Sequence, residues 1–305
     1  MNASFELALD AARAAAGMQH YPQATLYIVA TPIGNLADIS LRALHVLQLV
    51  DVIACEDKRH TQPLLRQYAI DKPLLALHQH NEAEAADGIV QRLQRGERVA
   101  YVSDAGTPAV SDPGARLVAA VRTAGFKVVP LPGASSVTAV LSAAGVTRAE
   151  GSDGSGSGFV FAGFLPSKGG ERDLAVALLR ADARAAVILE APHRIEALAR
   201  AMAVLGHRLV TVGRELTKQF EEIATMPAQD FAGWLEAGPQ RTRGEFALVL
   251  HAASEVPKPD DSLRVLQLLL AELPLKTAVK LAADITGAPR NELYDSALKL
   301  RKEAG

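Results

Sequence analysis

The stretch Leu26-Tyr27-Ile28-Val29-Ala30-Thr31-Pro32-Ile33-Gly34-Asn35 decides the fold class. Five apolar residues run into a turn marked by proline and glycine. A short apolar run without polar alternation reads as a strand buried on both faces. Pro32 and Gly34 end it. Working outward, the same beat repeats. Ile39 to Leu49 has helical spacing, with Leu41, Leu44, His45 and Gln48 around an apolar stripe. Strands are predicted at Val52 to Cys55, Leu74 to Leu77, Val99 to Val102 and Val128 to Leu131. Helices are predicted at Thr61 to Tyr68, Glu82 to Gln94, Ala115 to Thr123 and Ser135 to Ala144. Strand and helix in alternation predict βαβ units and a mostly parallel sheet.

This α/β region is expected to span 24–150, after an N-terminal extension, 1–23, that is helical or frayed. Gly151 to Gly158 alternates glycine with serine and aspartate, the composition of a flexible linker. A second α/β region is expected at 159–255. Its predicted strands are Val187 to Leu189, Arg208 to Val212 and Phe246 to His251; its helical patterns lie near Leu174 to Leu179 and Ile195 to Leu205. Val256-Pro257-Lys258-Pro259-Asp260 marks a further break, and 260–305 is helical in pattern.

Composition narrows the function classes. Hydrophobic residues make up 49% of the 305, enough for a substantial core, and the formal charge is −2. Such a chain is no electrostatic magnet for nucleic acid, although a local basic face stays compatible with it. Cys55 is the one cysteine, so neither an intrachain disulfide nor a cysteine metal cluster can form. Cys55 is expected to be a small buried hydrophobe, and its isolation fits a reducing, cytoplasmic setting. No run of 18 apolar residues predicts a membrane span, and residues 1–20 lack the pattern of a signal peptide.

Three strand-end loops carry the candidate chemistry: Thr31 to Asn35, Ser103-Asp104-Ala105-Gly106-Thr107-Pro108, and Pro132-Gly133-Ala134-Ser135-Ser136. In an open α/β sheet ligands bind beyond the carboxyl ends of the strands. Each loop alone also fits ordinary turn chemistry; three in one sheet point to a site. None carries a dinucleotide or P-loop fingerprint. None contains lysine or arginine, which points away from a polyphosphate ligand. Asp104 could face a cation or a ribose hydroxyl, or simply form its own turn. Asp112-Pro113-Gly114 reads as a helix start, with Asp112 as N-cap and Pro113 at the first helical position.

Two polar clusters follow strands. Glu56-Asp57-Lys58-Arg59-His60-Thr61 is either a self-paired charge cluster or a contact surface for a charged substrate. His78 and His80 share a face, but a metal site would require further ligands, and none is expected. There is no Gly-x-Ser-x-Gly elbow and no setting for a nucleophilic cysteine.

Taken together, Thr31 to Asp38, the Glu56-Asp57 loop with Arg59, Ser103 to Pro108, Gly163-Phe164-Leu165-Pro166, Arg214-Glu215-Leu216-Thr217-Lys218 and Glu272-Leu273-Pro274-Leu275-Lys276 form an ordered set. The set resembles the bacterial 16S ribosomal RNA cytidine 2′-O-methyltransferases of the tetrapyrrole methylase superfamily, over about residues 24 to 300. The resemblance implies two α/β domains with S-adenosylmethionine in the cleft between them, and a homodimer; separately, the spacing of the tail resembles a helix-turn-helix. It implies methyl transfer to a ribose 2′-hydroxyl in the decoding region of the small-subunit RNA. By motif position, Pro32, Gly34, Asp104, Ala105, Gly106, Thr107, Val110, Ser135, Ser136, Glu190 and Ala224 are expected at the cofactor. Lys58 stands where the family usually has threonine, Ala191 replaces a small hydroxyl residue, and Arg243-Gly244-Glu245 replaces Lys-Gly-Glu.

A 2′-hydroxyl is a poor nucleophile, so transfer to it requires a base or a hydrogen bond that draws off its proton. Glu56, Asp57, His60 and Glu215 are candidates, with Arg59 and Lys218 holding RNA phosphates. In the tail, Leu275, Val279, Ala282, Ala283 and Thr286 form a stripe, and Arg290, Lys299, Arg301 and Lys302 follow. Such a unit could grip RNA or pack as a cap on the body or on a second subunit. Two other functions fit the sequence: methylation of a tetrapyrrole ring, and a non-catalytic ribosome assembly factor that keeps the cofactor fold.

Overall fold

A computed structural model describes residues 6–77, 82–146, 158–253 and 262–303. They form two compact units, one holding both sheets with their helices and the other the last three helices.

The first unit opens with α1 (Glu6–Ala16) and β1 (Thr25–Val29), followed by α2 (Leu41–Leu49) and β2 (Val52–Cys55). Then come α3 (Lys58–Gln67), β3 (Leu74–Ala76), α4 (Glu82–Gln94), β4 (Arg98–Val102), α5 (Ala115–Thr123), β5 (Lys127–Leu131) and α6 (Ser136–Ala144). The sheet is parallel throughout, in the order β3-β2-β4-β1-β5. Residue alternation sends Tyr27, Val29, Ile53 and Cys55 to one face, against α1, α2 and α3. Leu26, Ile28, Val52 and Ala54 go to the other, against α4 and α5. Both faces are therefore apolar, as the sequence predicts. Cys55 is buried. The extension is packed, not frayed: Leu9, Ala12 and Ala16 of α1 are buried.

The second sheet has the order β6-β7-β10-β8-β9. It comprises β6 (Phe159–Phe164), α7 (Gly169–Ala181), β7 (Ala185–Glu190), α8 (Ile195–Met202), β8 (Leu209–Arg214), β9 (Glu222–Pro227), α9 (Phe231–Glu236) and β10 (Phe246–Leu250). Only β6 and β7 run parallel; β10 pairs antiparallel with both β7 and β8. One face packs on α7, α8 and α9. The other packs on α6, through Val137, Val140 and Ala144. That helix belongs to the first sheet's chain order yet lies on the second sheet, which joins the two halves of the unit.

Three elements were not expected from sequence: β6, β9 and α9. The helix α3 begins three residues before its predicted start, because the Asp57 carboxylate accepts the Arg59 amide at 2.8 Å and caps it. The expected cap of α5 is corrected. Its N-cap is Gly114, at φ 125°, with no side-chain cap of its own. The Glu82 carboxylate takes the role, accepting the amides of Gly114 and Arg116 at 3.0 Å and of Leu117 at 3.4 Å. A Cβ at Gly114 would strike the Tyr101 ring, so the chain can turn there only as glycine.

In the second unit α10 (Ser262–Glu272), α11 (Leu275–Thr286) and α12 (Arg290–Glu303) close over Leu266, Val279, Ala282, Ala283, Leu293 and Ala297. Val279, Ala282 and Ala283 are the stripe read from sequence. Gly287, at φ 72°, ends α11. The predicted linker at 151–158, except Gly158, the break at 256–260, and His78 and His80 lie outside the described residues.

Candidate active site

The loops after β1 and β4 lie side by side because those strands are neighbours, while their chain connections leave in opposite directions. The chain goes from β1 towards β2 and from β4 towards β5, which opens a crevice between them. An isolated antiparallel bridge stitches the two loops: the Thr31 amide donates to the Gly106 carbonyl at 2.9 Å, and the Gly106 amide to the Thr31 carbonyl at 3.0 Å. The Thr31 hydroxyl donates to the Ser103 carbonyl, and the Thr107 hydroxyl to the Ala134 carbonyl at 3.1 Å, which draws in the loop after β5. The three loops singled out in the sequence thus form one surface.

A cavity of about 340 Å³ lies between that surface and the second sheet. Ala105, Gly106, Thr107, Val110, Ser135 and Ser136 line it from the first half, with Ile33, Ser111, Asp112 and Val137. The second half contributes an antiparallel rung, Leu189 and Glu190 of β7 opposite Ala247 and Phe246 of β10. Its volume is within the range of small-molecule sites, about 300–1,000 Å³. Asp112, Glu190 and Glu245 are acidic, and none of the lining residues is basic. Such a wall suits a ligand that carries positive charge and no phosphate.

Glu190 is 2% exposed. Its Oε1 accepts the Ala191 amide at 2.9 Å and pairs with Arg194 at 3.0 Å, while its Oε2 is buried without a hydrogen-bond partner. An unsatisfied buried carboxylate oxygen is costly, and one beside a cavity calls for a donor from a ligand.

Four residues expected at the cofactor do not line the cavity. Pro32 is buried beside Ile33, which does. Gly34 faces the turn after β8 instead. A Cβ there would run into Lys218 Cγ and would come within 3.0 Å of Thr217 Oγ1, so glycine at 34 is required for packing. Asp104 turns towards α3, accepting from the Asp57 amide at 3.3 Å and pairing with His60 Nδ1 at 2.8 Å. Ala224 sits on β9, the edge strand, paired with Val212 and two strands away from β10.

The candidate catalytic residues fall into two groups. Lys218 donates to Glu215 Oε1 at 2.8 Å and to Glu245 Oε2 at 3.0 Å. Glu215 also accepts the Glu245 amide at 2.9 Å. Burial alone would raise Glu215, but these bonds and the Lys218 and Arg214 charges hold it below its ordinary pKa. Burial likewise disfavours charged Lys218, yet the two carboxylates raise its pKa. The three side chains form a closed clamp. Glu215 and Thr217 hold φ of 53° and 66°, strained for residues other than glycine.

The second group is the loop after β2. Arg59 pairs with Asp57 at 2.6 Å, and the Arg59 hydrogen bonds bring Asp57 down to about 2. The bond to Asp104 raises His60. These residues are paired among themselves, and both Arg59 and His60 remain exposed. Glu56 is raised by burial first, then by the charges of Asp104, Asp112 and Asp57. It is not among the lining residues. Among the described residues, no three His, Cys, Asp or Glu side chains converge as a metal site.

Sequence reasoning missed Asp112, Leu216, Glu245 and Phe246 as cavity walls. Asp112 carries a signal that fits a helix cap equally well: a carboxylate in a Gly/Pro strand-end loop.

Residues 25–232 match the tetrapyrrole (corrin/porphyrin) methylases, and 256–301 match the RsmI C-terminal HTH domain. The chain is 46% identical over 281 residues to ribosomal RNA small subunit methyltransferase I of Escherichia coli, covering 91% of this chain and 96% of that protein. It is 48% identical over 283 residues to the protein of that name from Neisseria meningitidis serogroup B, covering 92% and 94%. This chain belongs to the ribosomal RNA small subunit methyltransferase I family. It is therefore an enzyme of methyl transfer, with the tetrapyrrole methylase fold and a C-terminal helical domain. Two solved structures share the fold of this methyltransferase at low identity. A cobalt precorrin-4 methyltransferase has a TM-score of 0.54 and 17% identity, covering 74% of this chain and 94% of that one. Uroporphyrin-III C-methyltransferase from Thermus thermophilus has 0.51 and 20%, with the same coverage.

Proposed function

We propose that this methyltransferase binds S-adenosylmethionine in the cavity between its two sheets and methylates the ribose 2′-hydroxyl of a cytidine in the decoding region of 16S ribosomal RNA. The acidic, lysine-free lining with the orphaned Glu190 Oε2 is the observation that carries the cofactor half. Bound there, the cofactor would supply an activated methyl group on a positively charged sulfur. Glu190 would accept a hydrogen bond from it, the Glu190 and Glu245 carboxylates would favour its charge, and Ile33, Leu189, Leu216 and Phe246 would exclude water. The chain's remaining task is to hold the acceptor oxygen in line with that methyl group.

The RNA half rests on the family's name for its members and on the match of the tail to a helix-turn-helix domain. The tetrapyrrole reading gives the tail no task, and the fold it shares with the precorrin enzyme says nothing of substrate. A homodimer and a cytoplasmic setting belong to the same proposal. Among the described residues no helix is long and apolar enough to cross a membrane. Mass mapping of ribose methylation in 16S RNA, from cells with and without this protein, tests the reading. Loss of one 2′-O-methyl mark is expected; an unchanged ribose map would overturn it. Sedimentation gives the assembly, with about twice the 32.2 kDa chain mass expected.

A further inference from the structure

Asp112 would be spent on a helix cap if it were the N-cap of α5, as the sequence suggests. The structure frees it. The amides at the start of α5 go to Glu82, and Asp112 is among the residues that line the cavity. The loop that presents it is held out of ordinary geometry, with Ala109 and Ser111 at φ 65° and 64°. Backbone strain of that kind persists where the surroundings fix a particular side-chain direction.

The other carboxylates around the cavity are committed. Glu215 is held by Lys218 and the Glu245 amide, and the Glu245 carboxylate by Lys218. Glu190 has one oxygen on Arg194, and its other oxygen, buried without a protein partner, is assigned to the cofactor by the proposed reading. Glu56 does not reach the lining.

We infer that Asp112 is the general base of this enzyme, the group that takes the proton from the methyl-accepting hydroxyl. The inference rests on the proposed ribose reading. As the new oxygen–carbon bond forms and the carbon–sulfur pair returns to sulfur, Asp112 accepts the hydroxyl proton and later gives it to water. Burial, eased by the Ser103 hydroxyl and reinforced by the Asp104 charge, pushes Asp112 to about 6. A base with that pKa is largely ionised at neutral pH and stronger than an ordinary carboxylate. Asp104 and Ser103 set its titration beside burial; Glu56 and Tyr101 lie within reach of its charge, and Glu190 and Glu245 line the same cavity.

The test compares Asp112→Asn and Asp112→Glu with the unaltered full-length protein. Single-turnover methylation of small ribosomal subunits is followed from pH 5 to 9. S-adenosylmethionine affinity is measured by calorimetry, and melting temperature at pH 4 and 8. For Asp112→Asn the rate at pH 8 should fall about 100- to 10,000-fold, with cofactor affinity within about threefold, as for a base that does not hold the cofactor. The unaltered enzyme should lose rate below about pH 6, Asp112→Glu should keep such an acid limb, and the residual rate of Asp112→Asn should lack it. A raised carboxylate stabilises the fold fully below its unfolded value near 3.8 and loses that contribution as pH rises through about 6. Asp112→Asn should therefore melt above the unaltered protein at pH 8 and level with it at pH 4. A rate within about threefold of the original, or a loss explained wholly by weaker cofactor binding, would overturn the assignment. Digestion of the unaltered enzyme's product separates the two failures. A methyl group found on a base sinks the ribose reading and the Asp112 role with it. A 2′-O-methyl product from an undiminished Asp112→Asn enzyme sinks only the role of Asp112.

Discussion

Glu190 and Arg59 show how differently two charged residues of one molecule can be used. Glu190 is buried, with one oxygen committed to Arg194 and the other buried without a partner beside the cavity. Replacing it with glutamine keeps the shape and removes the charge. A hydrogen bond to a charged group contributes roughly 1.5–3 kcal/mol, about 10- to 100-fold in a dissociation constant. Glu190→Gln should weaken S-adenosylmethionine binding by that factor in a titration; an unchanged constant would mean the orphan oxygen meets no ligand donor. Arg59 is the opposite case. Its side chain is 89% exposed and already paired with Asp57, so its removal should leave the fold alone. Arg59→Ala is expected to weaken binding of the small ribosomal subunit while cofactor affinity stays the same. If both methylation and subunit affinity survived, the loop after β2 would not face RNA. The loop that holds Ala105, Gly106 and Thr107 was legible as a strand-end turn, and the family resemblance placed those residues at the site. Glu245 and Leu216 were not legible, because what brings them to the cavity is the pairing of β8 with β10.

Elements with a clear apolar run or a clear helical period were read most closely. The helix α5 has the predicted bounds, and β2 and α4 do as well. The exceptions have physical causes. The edge strand β9 has no fully buried residue and carries a mixed sequence, Glu222-Ile223-Ala224-Thr225-Met226-Pro227, so no buried strand pattern marks it. With six residues, α9 is too short for a helical period to emerge. The cap of α5 comes from Glu82, some thirty residues upstream, where no local motif could place it. A carboxylate that accepts three amides at a helix start satisfies orphan donors and meets the positive end of the helix dipole. Its loss should cost about 1–2 kcal/mol. Glu82→Ala is thus expected to shift the urea midpoint down without changing the slope. An unaltered midpoint would show that water replaces the cap. Loss of the cap should also loosen the turn that presents Asp112, tying the stability of α5 to the geometry of the site.

At the scale of the whole molecule, a chain of net charge −2 is proposed to bind one of the most highly charged polymers in the cell. Overall attraction cannot supply that affinity, so basic residues must act locally. The cleft gives little help, since its lining is acidic. The tail is better placed chemically: residues 275–305 hold six Lys and Arg against four Asp and Glu. Arg290 is paired with Asp284, whereas Lys276 and Lys280 stand one turn apart on the exposed side of α11. Their neighbours Val279, Ala282 and Ala283 fill the tail's own core, so truncating the two lysines should spare its packing. The variant Lys276→Ala/Lys280→Ala is expected to bind small-subunit RNA more weakly at low salt. Its dependence of log affinity on log salt should be shallower by about 0.7–0.9 for each phosphate that the lysines no longer neutralise. Cofactor affinity and melting temperature should stay as they were. A salt slope identical to that of the unaltered protein would assign the tail to packing against protein rather than to gripping RNA, and would leave the phosphates to Arg59 and Lys58 on the body.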